Sequence, residues 1–99
     1  MKPFQFSAPA AEELVAAIRW YENRREGLGA EFYDAVVRTV ARIEGFPEIG
    51  TLRGGRFPHR RMPVPRFPYT IAYRVRAHDI YGVAVAHHRR RPGYWKQRR

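Results

Sequence analysis

The 99-residue chain has no cysteine, which excludes a disulfide framework, a thiol nucleophile and any cysteine-based metal site. It has no apolar run of membrane-spanning length, and its N-terminus lacks the apolar core of a signal peptide. Its four histidines (59, 78, 87 and 88) have no close Glu/His spacing of the zinc-binding kind, so neither metal nor cofactor is expected. Lysine is scarce: only Lys2 and Lys96 accompany seventeen arginines among nineteen cations. Internal repeats and low-complexity linkers are also absent. These absences leave one cytoplasmic domain over residues 1–99, with no membrane association expected. Aromatic residues at 14 % and apolar residues at 44 % suffice for a packed core.

Acidic residues are missing from one half. Residues 1–50 carry six Lys/Arg and eight Asp/Glu, a net of −2, whereas residues 51–99 carry thirteen Lys/Arg and Asp79 alone, a net of +12. One half of the fold therefore builds a basic surface suited to nucleic acid or an acidic protein segment. Arginine's planar fork favours bidentate phosphate or carboxylate contacts over simple solubility, although a GC-biased genome would also enrich it.

Phe4-Gln5-Phe6 alternates as a first strand. Ser7 caps a helix, with Pro9 near its first turn and Glu12 and Glu13 placed as partners of the helix dipole. Leu14, Ile18 and Tyr21, with Ala11 and Ala17, form its apolar stripe. Gly27-Leu28-Gly29 breaks the period. A second helix follows with Phe32, Val36, Val40 and Ile43 in line and Tyr33 and Val37 beside them, ending at Gly45, Pro47 and Gly50. The period then changes. Residues 56–67, with prolines at 58, 63 and 65, read as an edge or bent strand. Residues 69–76 and 80–88 read as two further strands joined at Ala77-His78-Asp79. The expected fold is a two-layer α+β domain: an N-terminal strand, an antiparallel helix pair, then a three-stranded, mostly antiparallel meander packed on the helices.

Alternation assigns faces. Tyr69, Ile71, Tyr73 and Val75 turn toward the helices, with Val83 and Val85 matching them. Thr70, Ala72 and Arg74 then share the opposite face with Ala84, Ala86 and His88 as a shallow basic trough, and a slip of one residue would exchange His88 for His87. The last strand runs directly into His87-His88-Arg89-Arg90-Arg91-Pro92-Gly93-Tyr94-Trp95. This block delivers cations and an aromatic to the open face before Pro92-Gly93 turns the chain back.

A series of segments carries a family resemblance. They are Ala11-Glu12-Glu13-Leu14, Trp20-Tyr21-Glu22, Gly27-Leu28-Gly29-Ala30-Glu31-Phe32, Phe46-Pro47, Arg66-Phe67-Pro68-Tyr69-Thr70-Ile71-Ala72-Tyr73-Arg74-Val75 and Ala86 to Trp95. In order and spacing the series resembles the RelE/ParE superfamily of toxins from bacterial type II toxin–antitoxin modules, and is closest to the ParE-type, plasmid-stabilisation branch. The resemblance implies an α+β RelE-like fold and a hetero-oligomer with a cognate antitoxin. It implies one of two activities: inhibition of DNA gyrase without nuclease action, or metal-independent cleavage of ribosome-bound mRNA. The leading expectation is a ParE-like growth inhibitor. The alternatives are a RelE-like endoribonuclease and a non-toxic antitoxin-binding remnant.

RelE-like nucleases carry an arginine directly after the strand tyrosine, where this chain has Thr70. Their arginine after the last strand is matched by Arg89, and their C-terminal tyrosine by Tyr94 or Trp95. Arg60 or Arg61 stands for their strand cations, with Pro63 where another cation is expected. If the chain is a nuclease, Arg89 and Arg61 stabilise the phosphate, His88 serves as base or acid, and Tyr94 donates a proton or stacks. Arg60, Arg74, Arg90, Arg91 and Trp95 are the expected contacts to a partner or to nucleic acid. Against these stand blander roles: His87 as an end-of-strand histidine, Trp95 as a plug in the helix layer, Arg60 and Arg61 as guards of a sheet edge, and Trp20 and Tyr21 as core or interface.

Overall fold

The computed structural model describes residues 1–98. Strand β1 (Phe4–Phe6) leads into helices α1 (Ala8–Arg24) and α2 (Leu28–Gly45), and a 3-10 turn, Pro47–Ile49, precedes β2 (Thr51–Arg53), β3 (His59–Pro63), β4 (Tyr69–Val75) and β5 (Ile80–His87). The strands form one five-stranded sheet in the order β1-β5-β4-β3-β2. Neighbours are antiparallel except β1, which runs parallel to β5. The α+β architecture is the expected one, and β2 adds a strand to the meander. All three of its residues are exposed, so no alternation marked it.

Ser7 caps α1 by accepting the Ala10 N–H at 3.2 Å. Gly27, with φ 88°, turns the chain between the helices, a conformation that favours glycine. The Glu22 carboxylate of α1 then accepts the Gly27 and Gly29 N–H groups, each at 3.0 Å, and satisfies the start of α2. A Cβ on Gly29 would stand 2.7 Å from the Ile18 carbonyl, so glycine sets how closely the helices approach.

The main core holds Leu14, Tyr21, Phe32, Val36 and Ile43 from the helices against Met62, Ile71, Tyr73, Ile80 and Val85 from the sheet. Thr39 occupies a fully buried stripe position beside half-buried Val40, its hydroxyl donating to the Ala35 carbonyl at 2.8 Å. Tyr33 and Val37 are exposed.

Val83 departs from the expected pattern. Ala72 pairs with Ala84 but Tyr73 pairs with Gly82, so Val83 is an extra residue in a β-bulge. The bulge reverses the alternation, and Val83 joins Ala72, Ala84, Ala86 and Trp95 in a second cluster on the far face of the sheet. On the helix face, Phe4 and Phe6 close over Gly82, where a Cβ would meet the Phe6 ring at 2.7 Å.

Candidate functional site

After β5 the C-terminal turns bring Tyr94 and Trp95 back on the sheet, their rings edge-on at 5.2 Å. Trp95 is only 5 % exposed and packs on the small residues of the far face. The basic trough is therefore floored by an indole ring. This corrects both readings of Trp95: it plugs the far face and not the helix layer, and it has no free ring for a partner.

Tyr94 lines a groove of about 400 Å³ with Glu13, Ala17, Trp20, Tyr69 and His87. Its hydroxyl donates to Glu13 Oε2. Burial, followed by that bond, pushes the phenol well above its ordinary value. Glu13 is a hub. Its carboxylate also accepts the Val85 N–H at 3.0 Å and both terminal nitrogens of Arg98 at 3.2 Å. It lies beyond the first turn of α1, so its expected role as a dipole partner gives way to clasping the C-terminal segment. Only β5 residues Ile80 to Gly82 pair with β1, and the β5 edge beyond them is closed by Glu13 at the Val85 N–H and by Arg98 at the Val83 carbonyl, 3.1 Å away.

On the far face, Arg61 lines a cleft of about 180 Å³ with Thr70, Ala86, His88, Arg90, Pro92 and Trp95, and His87 borders both this cleft and the groove. Arg61 pairs with Ala72 across β3–β4, which directs it to the trough side. Its guanidinium lies 5.1 Å from the Trp95 ring, and its Nε–H donates to His59 Nε2 at 3.2 Å. That bond fixes His59 as an acceptor at Nε2 and so places the ring proton on Nδ1. His59 is buried, 4 % exposed, and burial above all holds its pKa below the ordinary value. Burial, then Arg53, likewise lowers Arg61. His88 faces this cleft, with Nε2 3.0 Å from Thr70 Oγ1. His87 faces the groove side, its ring edge-on to Tyr69 at 5.0 Å, with its pKa lowered by burial, Arg89 and His88.

The expected catalytic set is thus divided. Arg61 and His88 share one cleft, Tyr94 lines the other groove, and Arg89 is exposed and lines neither, its backbone N–H donating to His87 Nδ1 at 2.9 Å. Among the expected partner contacts, Arg60 donates to the Glu48 and Gly50 carbonyls at 3.1 and 3.0 Å and pairs with Tyr73, which places it on the helix side of the sheet. Arg74 lies between Phe57 and Tyr81, 5.5 Å from each ring. Arg90 lines both cavities, stacked 4.2 Å from the Tyr94 ring, and Arg91 is exposed. Sequence reasoning missed Glu13 and His59. Strand β3, expected at a sheet edge, is interior because β2 pairs along its outer side, so Arg60 and Arg61 do not guard an edge. The i,i+2 spacing of His59 and Arg61 on one strand was the available signal for His59, and Glu13 had none, because its partners are remote in the chain.

Among the described residues no group of His, Asp or Glu is arranged to hold a metal ion, and no helix is long and apolar enough to cross a membrane. No curated protein matches the chain. A solved structure titled "Chromosomal ParDE TA system from P. aeruginosa" is similar in fold, with a TM-score of 0.74 at 19 % identity over 88 % of this chain and 96 % of that one. The sequence model of the family described as the ParE toxin of type II toxin-antitoxin system, parDE, matches residues 4–92. With nearly the whole of the described fold inside that match, the chain belongs to the ParE toxin family of type II toxin–antitoxin systems.

Proposed function

We propose that this protein inhibits growth by binding a cellular protein machine, with DNA gyrase the leading candidate, and that a cognate antitoxin neutralises it in a cytoplasmic hetero-oligomer. One observation carries the choice of a binding mechanism over a nuclease one: the Tyr94 hydroxyl is tied to Glu13, and Tyr94 does not line the Arg61–His88 cleft. Cleavage of RNA through its 2′-hydroxyl needs a base, charge stabilisation and an acid gathered on one phosphate. Here the hydroxyl of the candidate acid is committed to Glu13, with its proton held more tightly than in free tyrosine. Thr70, where nuclease relatives are expected to carry arginine, supports the same choice.

The surplus of positive charge in residues 51–99 fits an acidic or amphipathic antitoxin segment. Association should be fast at low salt and slow as ionic strength rises.

The endoribonuclease reading keeps one specific support, the shared cleft of Arg61 and His88. Induced expression with growth monitored, beside supercoiling by purified gyrase and mRNA cleavage on purified ribosomes, separates the readings. Arrest with blocked supercoiling and intact mRNA is expected. Cleavage at ribosome-bound codons that disappears in Arg61→Ala and His88→Ala would establish the nuclease instead. Absence of any arrest, with antitoxin binding retained, would identify a non-toxic remnant of a plasmid-stabilisation module.

A further inference from the structure

Helix α1 buries one face, with Ala10, Leu14, Ala17 and Tyr21 turned to the core. On the opposite face Glu12, Val15, Ala16 and Arg19 are all exposed. These four and Ala11 line a shallow depression of about 380 Å³. Small and apolar residues form its floor, and a carboxylate and a guanidinium stand at its two ends. Neither charge is used within the chain. Five ion pairs join described residues, and Glu12 and Arg19 are in none of them. Glu22, one turn beyond Arg19, is spent on the Gly27 and Gly29 N–H groups.

We propose that this face is the contact of a two-fold symmetric homodimer, in which α1 packs antiparallel on α1 of a second copy. A two-fold contact has to be self-complementary, and the spacing along α1 meets that condition. Glu12 and Arg19 lie equally far from the midpoint between Val15 and Ala16. With the axis at that midpoint, Glu12 faces the partner's Arg19 and Arg19 faces the partner's Glu12. Val15 and Ala16 then each meet their own copies, and Val15, 45 % exposed, supplies the apolar centre. Alanine and valine at the contact let the helix axes approach to about 8 Å. Long-range charge favours the same face. The helix pair lies in residues 1–50, with a net charge of −2, whereas copies meeting through residues 51–99, with +12, would repel. The basic trough lies on the other side of the sheet from α1, so it stays open in the dimer. A helix of 17 residues is about 25 Å long, so a single pair lies at the low end of interface size. The expected Kd is correspondingly weak, roughly 10–100 μM. The charges set register and partner more than affinity.

The test is sedimentation equilibrium of the full chain at physiological salt, between about 5 and 500 μM, a range that brackets this affinity. A reversible monomer–dimer equilibrium is expected. Glu12→Arg and Arg19→Glu each place like charges at both crossings and should each weaken association at least about tenfold, with unchanged circular dichroism spectra. An equimolar mixture of the two variants restores opposite charges at both crossings, so it should associate about as tightly as the parent. The double variant Glu12→Arg/Arg19→Glu should do the same on its own. A parent chain that stays monomeric throughout the range would overturn the proposal. So would association undiminished in both single variants, which would place the contact elsewhere, or a mixture no tighter than its components.

Discussion

Replacing Glu13 by alanine tests the clasp that shapes both faces of the sheet end. The substitution removes the acceptor of the Val85 N–H, the acceptor of the Tyr94 hydroxyl and the anion facing Arg98. Losing the partner of a shielded backbone N–H costs about 1–3 kcal/mol, and losing a charge-assisted tyrosine bond a further 1.5–3 or so. The Arg98 guanidinium is 29 % exposed and can turn to water, so its pair adds less than about 1 kcal/mol. These losses overlap, since Tyr94 and Arg98 leave together once the turn loosens. A net cost of about 3–4 kcal/mol is expected, out of the roughly 5–15 typical for a domain of this size. In a thermal melt followed by circular dichroism that is a fall in Tm of roughly 12–30 °C. Hydrogen exchange should quicken for residues 89–98 and at Val85 before the α1–α2 core is affected. Tyr94→Phe isolates one bond and should cost about 1–2 kcal/mol, with less than additive loss when combined with Glu13→Gln. If Glu13→Ala melts within about 0.5 kcal/mol of the parent and protection of residues 89–98 is unchanged, the clasp does not hold that segment and the argument fails.

The buried state of His59 predicts an acid sensitivity of defined sign. Its native pKa is depressed, so the unfolded chain takes up its proton first; stability is fully present above about pH 6.5 and falls as pH drops below it, by up to about 1.4 kcal/mol per unit, and His59→Asn should flatten that limb in urea melts between pH 7 and 5. The tyrosines act at the other end. Tyr21, Tyr69, Tyr73 and Tyr94 are all raised, chiefly by burial, so stability should decline as pH rises beyond about 10, and phenolate absorbance should appear together with unfolding and not ahead of it. Gly82→Ala drives a methyl into Phe4 and Phe6 and should cost about 1–3 kcal/mol in chemical denaturation; a neutral result would mean that the β1 rings do not close over β5 as described.

The elements that were legible in the sequence are those whose evidence is local. Ser7, the 3.6-residue stripes and Gly27 lie within a few residues of the structure they specify, and the two helices follow from them. The strand β4 was legible because its alternation is uninterrupted. Val83 was assigned to the wrong face because a bulge belongs to the pairing between two strands, and alternation within one strand carries no record of it. Gly82 was the one local trace, as a glycine inside a strand marks such a site. The strand β2 left no trace, because exposure on both faces removes the pattern that alternation depends on. The candidate site depends still more on distance. Tyr94 meets Glu13 across 81 positions, and that contact ties the C-terminal segment to α1 while Trp95, adjacent in sequence, is buried against the far face of the sheet. The composition located the positive charge correctly in the second half, but charge density cannot say which arginine is held, which is solvated and which is poised. Arg60 and Arg61 are neighbours on β3, yet one is consumed by two backbone carbonyls and the other keeps a free fork over an indole ring. Strand geometry makes that distinction, because adjacent residues face opposite sides of a sheet, and Arg61 lies on the side that holds the cleft with Trp95.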